Sequence, residues 1–346
     1  MSYKSFVAIK IAFDKEQFHA NENITGEVFV RNNSPIHLEL ENIQIKLALK
    51  HQGKGETDEI ILEANTIHEF KRIARGQTIS SKFTFNPAYN VSFNGYNITQ
   101  TILIKTKVDI KKESEKLLRD EKLSNFKIGG YLKGLFSPDF YNETPVTIIK
   151  GNTNYLFEKN KGSIRVGLKK AHNILLIGLI ASVVLCIFFY NTIETIEVIY
   201  TFLGLYTLLF CIVYYYKIRP SQAVGLINYK LNVLDKNSYE VNLKLKKRSN
   251  IIKEINCQLI GKEKVTYDNG SSRSTTTRAF FNGVKNKITP KTVLTYQSEF
   301  PEKSLPISIN NNDFEITWYY SIEILTNNNI LIKGEDTILI SYEQQE

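Results

Sequence analysis

The sequence predicts a mainly β chain: two antiparallel β-sandwich domains separated by a two-helix transmembrane hairpin. Three observations carry that prediction. Apolar and polar residues alternate over short runs before residue 110 and again after residue 222, as in strands with one buried face. Clusters of Asn, Gly and Pro punctuate those runs, and these residues supply the positive or fixed φ of tight turns. Two uncharged apolar runs, 173–190 and 198–216, stand in mid-chain with a short acidic loop between them.

The first domain is placed at 1–110. Val7, Ile9, Ile11 and Phe13 alternate with smaller or polar residues. Further strand-like runs follow at 26–30, 38–49, 60–62, 67–73, 79–85 and 96–108, and in the last of these Ile98, Ile102, Ile104 and Val108 share one parity. Asn32-Asn33-Ser34-Pro35, Gln52-Gly53-Lys54-Gly55, Arg75-Gly76 and Phe93-Asn94-Gly95 mark turns. No helical pattern interrupts this order, which points to an antiparallel sandwich. A strand at 143–157 would close it.

An insertion at 111–141 has two halves. Residues 111–125 are charged and helix-forming. Residues 126–140 mix Phe126, Ile128, Tyr131, Leu132, Leu135 and Phe136 with Lys127 and Lys133. The second half fits either an amphipathic segment lying on a membrane surface or a loop packed on the sandwich edge. Gly129, Gly130 and Gly134 weaken a helix there.

Each mid-chain apolar run is about 27–29 Å long as a helix, close to the roughly 30 Å hydrocarbon core of a bilayer. The loop at 191–197 carries Glu194 and Glu197 and no base, and is short enough only for antiparallel neighbours. A buried helical hairpin is the alternative, but such helices usually keep a polar stripe. Lys159, Lys161, Arg165, Lys169 and Lys170 precede the first run, and Lys217 and Arg219 follow the second. Basic flanks stay on the cytoplasmic side. The expectation is therefore an integral protein of a bacterial inner membrane, with both sandwiches cytoplasmic. The N-terminal stretch has charges at Lys4, Lys10 and Asp14 and alternates, so it is not read as a signal peptide.

The second domain is placed at 222–346. Residues 241–245 and 255–259 alternate, and Asp268-Asn269-Gly270 is a hairpin signal. The Ser- and Thr-rich stretch 271–278 reads as a polar loop, and strand-like runs resume at 292–300, 314–325 and 329–341. Trp318-Tyr319-Tyr320 reads as core and rim aromatics on one strand.

The net charge is +9, but no basic run is interleaved with a nucleic-acid recognition motif. The excess beside the apolar runs suits anionic lipid headgroups, and no nucleic-acid partner is expected. Of three cysteines, Cys186 and Cys211 fall in the apolar runs and only Cys257 lies in a sandwich, so no disulfide framework is expected. The abundance of Asn, Ile and Lys suggests an AT-rich bacterial genome.

Several stretches resemble one family. Phe13-Asp14-Lys15, Ile24-Thr25-Gly26-Glu27-Val28-Phe29-Val30-Arg31-Asn32 and Ile43-Gln44-Ile45-Lys46-Leu47 look like the opening strands of an arrestin-like domain. Ser92-Phe93-Asn94-Gly95-Tyr96-Asn97-Ile98, followed by residues 103–108, is similar to a later strand pair of that family. Phe300-Pro301-Glu302 and Ile316-Thr317-Trp318-Tyr319-Tyr320-Ser321-Ile322 resemble its closing strands. The resemblance implies two arrestin-like sandwiches in a bacterial membrane-anchored variant that acts as an adaptor. The hairpin between the sandwiches and the 111–141 insertion depart from the family pattern.

No residue set for chemistry emerges: catalytic, cofactor-binding and metal residues are all expected to be none. His19, His37, His51, His68 and His172 are scattered without ligand spacing. Cys257 sits on an alternating strand as a core thiol. Gly261-Lys262-Glu263-Lys264 reads as a turn with solvated charges, and Glu335 and Asp336 read as exposed beside Gly334. Three functions stay open. The first is a non-enzymatic membrane-anchored adaptor or scaffold that binds cytoplasmic or membrane protein partners through sheet edges and loops. The second is a pore or transport-complex component in which hairpins oligomerise, with Gly178, Ala181, Ser182 and Gly204 allowing close helix packing. The third is an enzyme with an unrecognised site.

Overall fold

Period-two alternation builds both halves of the molecule. In the computed structural model, residues 6–67, 72–124, 140–151, 153–166, 173, 175–184, 187, 196–245, 250–290, 293–301 and 304–343 are described. The first lobe comprises β1 (Val7–Phe13), β2 (Gln17–His19), β3 (Ile24–Asn32), β4 (Leu38–Gly53), β5 (Glu56–Ile67), β6 (Arg72–Ile73), β7 (Thr78–Phe85), β8 (Phe93–Asn94), β9 (Thr99–Ile110), α1 (Lys112–Ser124) and β10 (Phe140–Ile149). β11 (Tyr155–Phe157) and β12 (Lys161–Arg165) lead toward α2 (Ile196–Val213), a π-helical turn at Tyr214–Ile218 and α3 (Arg219–Val224). The second lobe comprises β13 (Leu226–Val233), β14 (Ser238–Leu245), β15 (Ile252–Asp268), β16 (Arg273–Asn282), β17 (Asn286–Ile288), β18 (Val293–Glu299), β19 (Ile309–Asn310), β20 (Phe314–Thr326), β21 (Leu331–Ile338) and β22 (Ile340–Tyr342).

Each lobe holds two main sheets, and β11 and β22 form a separate two-stranded one. In the first, β1-β3-β7 makes one sheet and β2-β10-β9-β4-β5 the other. In the second, β12-β13-β14-β18 lies with β16-β15-β20-β19, and β21 pairs with β20. Pairing is antiparallel except between β2 and β10. Ile24, Val28 and Val30 of β3 point inward, as do Ile102, Ile104 and Val108 of β9 and Ile255, Cys257 and Leu259 of β15. A single apolar cluster runs through both lobes. Both lobes are β-sandwiches, as the alternation implied.

Turn chemistry closes the hairpins. Lys54 and Gly55 both have positive φ, at 51° and 92°, which suits the two-residue connection of β4 to β5. At the end of β3, the Asn32 side chain accepts from the Ser34 N–H at 2.9 Å and donates to the Ile36 and Ile73 carbonyls. The Asn-Ser-Pro turn is thereby tied to β6. Helix α1 docks on the start of β4: the Ser114 hydroxyl accepts from the Glu39 N–H at 2.9 Å, and Leu118 is fully buried.

The hairpin expected at 173–216 is not supported. Among the described residues, no helix is long and apolar enough to cross a membrane. The expected first run is described only at 173, 175–184 and 187. Helix α2 has 18 residues and then gives way to the π-helical turn. The transmembrane and integral-membrane expectations are therefore corrected. Gly178 meets α2: a Cβ there would lie 2.8 Å from Leu209 Cδ2. The second half of the insertion, 126–140, lies outside the described residues except for Phe140.

Two further expectations change. The stretch 271–278 is not a loop: residues from Arg273 onward form β16, because Thr and aromatic side chains favour a pleated surface. Gly334 does not mark a turn either. It sits within β21, where a Cβ would lie 2.5 Å from Ile164 Cγ2. Asp336 is accordingly half-buried, accepting from the Tyr229 hydroxyl at 2.8 Å and from Lys159 Nζ at 3.0 Å.

Ile322, at the centre of β20, is fully buried. Replacing it with Ala is expected to cost about 2–5 kcal/mol. Urea unfolding should show a lower midpoint with an unchanged slope.

Candidate functional site

The lobes meet along a seam built from the β8–β9 turn, the β4–β5 hairpin and the β15–β16 hairpin. At its centre is Glu263, fully buried on β15. Its Oε1 accepts the backbone N–H groups of Tyr96 and Asn97, each at 2.7 Å, and its Oε2 accepts that of Ile98 at 3.1 Å. Three successive amides aimed at one carboxylate form a cradle for negative charge, and charge-assisted bonds offset the cost of burying it. Gly95 makes the approach possible, since a Cβ there would fall 2.2 Å from Glu263 Oε2. Gly53 plays the same part nearby, where a Cβ would lie 2.1 Å from the Asn97 carbonyl oxygen.

This placement overturns the turn expected at 261–264. Leu259, Gly261, Glu263 and Val265 share the inward parity of β15, while Lys262 and Lys264 face outward to Glu335 and Glu315. Gly261 leaves room for the Phe280 ring. The signal available in the sequence was unbroken parity from Ile255 to Val265, which a Gly and three charges obscured.

Around the carboxylate, Phe93 packs edge-on to Phe280 at 5.2 Å, and Phe280 edge-on to Trp318 at 5.3 Å. The Arg278 guanidinium lies 3.9 Å from the Tyr96 ring centre. Polar contacts extend the seam: the Asn311 amide donates to Asp58 at 2.7 Å, and the Asp268 N–H donates to Glu56 at 3.2 Å.

Two sheet edges flank this seam. β5 carries Glu56, Asp58, Glu59 and Glu63 and no base. Ile60 and Ile61 point to opposite faces yet are 43% and 45% exposed, so the middle of the strand is solvated on both sides, while Leu62 and Ile67 pack against the core. β16 has the opposite sign, with Arg273 and Arg278 and no acid. Among the described residues it ends its sheet. Its Thr275-Thr276-Thr277 run lacks the Lys, Pro or acid that usually guards an edge.

The other sequence-noted residues do not converge. His51 is fully buried on β4, its Nε2 3.0 Å from Gln100 Oε1, and Gln100 in turn donates to the Val91 carbonyl. Burial holds the His51 pKa below 6.5, against the opposing effects of Gln100 and Asp58. Burial pushes the Cys257 thiol up to about 11, which leaves it protonated beside Tyr320 and Tyr296. Trp318 and Tyr320 are buried while Tyr319 faces outward under Lys262. Among the described residues, no group of three or more His, Cys, Asp or Glu could hold a metal ion.

Residues 2–85 match the family described as the first Ig-like domain of TRAPPC11. The match falls on the β1–β7 region and agrees with its sandwich construction. A solved structure of Spo0M, a sporulation control protein from Bacillus subtilis, is similar at 10% sequence identity and a TM-score of 0.29. The similarity covers 79% of this chain and 90% of that one. No curated protein matches the chain. The β-sandwich expectation stands on the strand pairing itself, and the bacterial membrane-anchored variant finds no support.

Glu263→Ala strands three amides, of which those of Asn97 and Ile98 are buried and each cost about 1–3 kcal/mol. Hydrogen exchange at Tyr96, Asn97 and Ile98 should accelerate more than at Ile322; equal acceleration would count against a local clamp. A second expectation concerns acid. The unfolded chain binds a proton at His51 near pH 6.5 and the folded chain resists it, so stability holds above that pH and falls as pH drops through it. NMR titration of the His51 ring should give a midpoint below 6.5, and His51→Gln should flatten the pH dependence of stability there.

Proposed function

We propose that the chain is a non-catalytic interaction scaffold that accepts an extended segment of a partner protein along the free edge of β16. The two-sandwich fold is compatible with a scaffold. One observation favours this edge: β16 is ten residues long, its Thr275-Thr276-Thr277 run is uncharged and β-branched, and no Lys, Pro or acid guards it. An added strand would bond to the outward N–H and C=O groups of β16, and alternate side chains would set specificity. Arg273 already pairs with Asp313, so Arg278 is the charge that favours an acidic residue on the partner strand. β5, with four acids of its own, suits such a strand poorly.

Successive N–H groups of β16 alternate between β15 and the free side. Of Thr275→Pro and Thr276→Pro, one therefore removes an outward donor and the other a ladder bond to β15. Affinity capture with the intact chain should recover a partner that protects the Arg273–Asn282 amides from exchange. The proline variant that keeps the wild-type melting temperature should lose that partner. Protection confined to another strand, or capture unaffected by this variant, rejects the proposal.

A further inference from the structure

A second contact between the lobes has a different chemistry. Lys150 follows β10 in the first lobe and is 6% exposed. Its backbone N–H donates to the Ser304 hydroxyl at 2.7 Å, and its Nζ donates to the Lys236 carbonyl at 2.7 Å. The ammonium also sits 3.9 Å from the Tyr155 ring centre. A carbonyl and a ring face solvate a cation, but they do not neutralise it. Among the described residues, no carboxylate lies in ion-pair contact with Lys150. The nearby Asp235 is occupied by the Asn237 N–H at 2.7 Å and the Ser238 hydroxyl at 2.6 Å.

A cleft of about 370 Å³ opens at this point, lined by Ile149, Lys150, Gly151, Lys236, Asn237 and Ser304. Lys236 adds a second, exposed positive charge. His19 approaches from β2, for a Cβ on Gly151 would lie 2.6 Å from its Nδ1. The Ser304 hydroxyl accepts from Lys150, which leaves its own hydrogen available to a ligand.

We propose that this cleft binds a compact oxyanion of the phosphate class, either inorganic phosphate or a small phosphomonoester. Lys150 serves as the buried counter-charge, Lys236 as the exposed one, and the Ser304 hydroxyl as donor. Lysine ammonium groups bind phosphate as point charges. Two of them match a dianion, and its arrival supplies the negative charge that the burial of Lys150 lacks. The titration of Lys150 agrees: burial and the neighbouring Lys236 push it down to about 8, while Asp235 opposes them. A bound anion reverses that shift. The ligand would touch Lys150 of one lobe with Lys236 and Ser304 of the other, so its occupancy would brace the lobes. The cleft is separate from β16, and the scaffold proposal is not needed for it.

The test is an NMR titration of the Lys150 side chain in the intact chain, with sodium phosphate or glycerol 3-phosphate against sodium chloride at matched ionic strength. Either phosphate compound should raise the Lys150 midpoint above about 8 in a saturable manner, and should raise the melting temperature while chloride does not. A stronger response to glycerol 3-phosphate identifies the ester as the better source; a stronger response to inorganic phosphate identifies the free ion. Lys150→Met should weaken binding by about tenfold or more, the effect of losing a charged hydrogen bond. Lys236→Met, at an exposed position, should weaken it without perturbing the fold, and carries the test if the first variant does not fold. An unmoved Lys150 midpoint, or wild-type phosphate affinity in Lys236→Met, overturns the proposal.

Discussion

The relation between the two lobes depends on one buried carboxylate. Among the described residues Glu263 makes no ion pair; it is held by three consecutive backbone N–H groups of the opposite lobe. An acceptor of this kind tolerates little displacement, because the Asn97 and Ile98 amides it would leave behind are buried and would be unpaired. The geometry around it is correspondingly close. Gly95 and Gly53 remove the side chains that would hold the β8–β9 turn away from β15 and β4. Apolar packing continues through Phe93, Phe280 and Trp318, so the polar clamp sits beside a continuous aromatic contact. Dispersion and burial supply most of the adhesion there, and the carboxylate sets the register.

That register positions the neighbouring edges. β16 is joined to β15 by the hairpin at Asp268, and the Asp268 N–H reaches Glu56 at the start of β5. An acidic edge and a basic edge are thus brought to the same seam, one from each lobe. They differ in more than charge. β5 carries four acids in its first eight residues and touches the core through Leu62 and Ile67, whereas β16 keeps Phe280 and Phe281 against Trp318 and leaves a threonine row outside. The aromatic pair follows from a register shift at Gly261 and Lys262, which turns two consecutive phenylalanines toward the same indole. A second seam, at Lys150, Lys236 and Ser304, is electropositive. The lobes are therefore held by an anion among amides at one place and by a cation over a ring and a carbonyl at another.

Much of the strand architecture was legible because period-two alternation is a local signal. Val7 to Phe13, Ile98 to Val108 and Ile255 to Leu259 bury the faces that their parity implies. The turns at Gly53-Lys54-Gly55 and Asn32-Asn33-Ser34-Pro35 were equally plain, since positive φ and Asx geometry restrict residue choice. The misread segments share a cause. Gly261 and Gly334 look like punctuation, but each lies in mid-strand where another side chain occupies the space of a Cβ. The 271–278 stretch looks like a loop because Ser and Thr serve both loops and strands, and only a partner strand decides between them. Hydropathy alone made a membrane hairpin of 173–216; the helix that forms in its second half is 18 residues long and ends in a π-helical turn.

By itself, the sequence determined the β class and most hairpin turns, because each follows from side-chain periodicity and backbone φ within a few residues of one another. Tertiary structure alone decided that Glu263 is buried, that Gly95 faces it, and that Lys150 meets Lys236 and Ser304. These partners stand roughly 80 to 170 positions apart in the chain. No local pattern encodes a carboxylate's amides or an ammonium's neighbours across such a span; they meet only when packing brings the two sandwiches together.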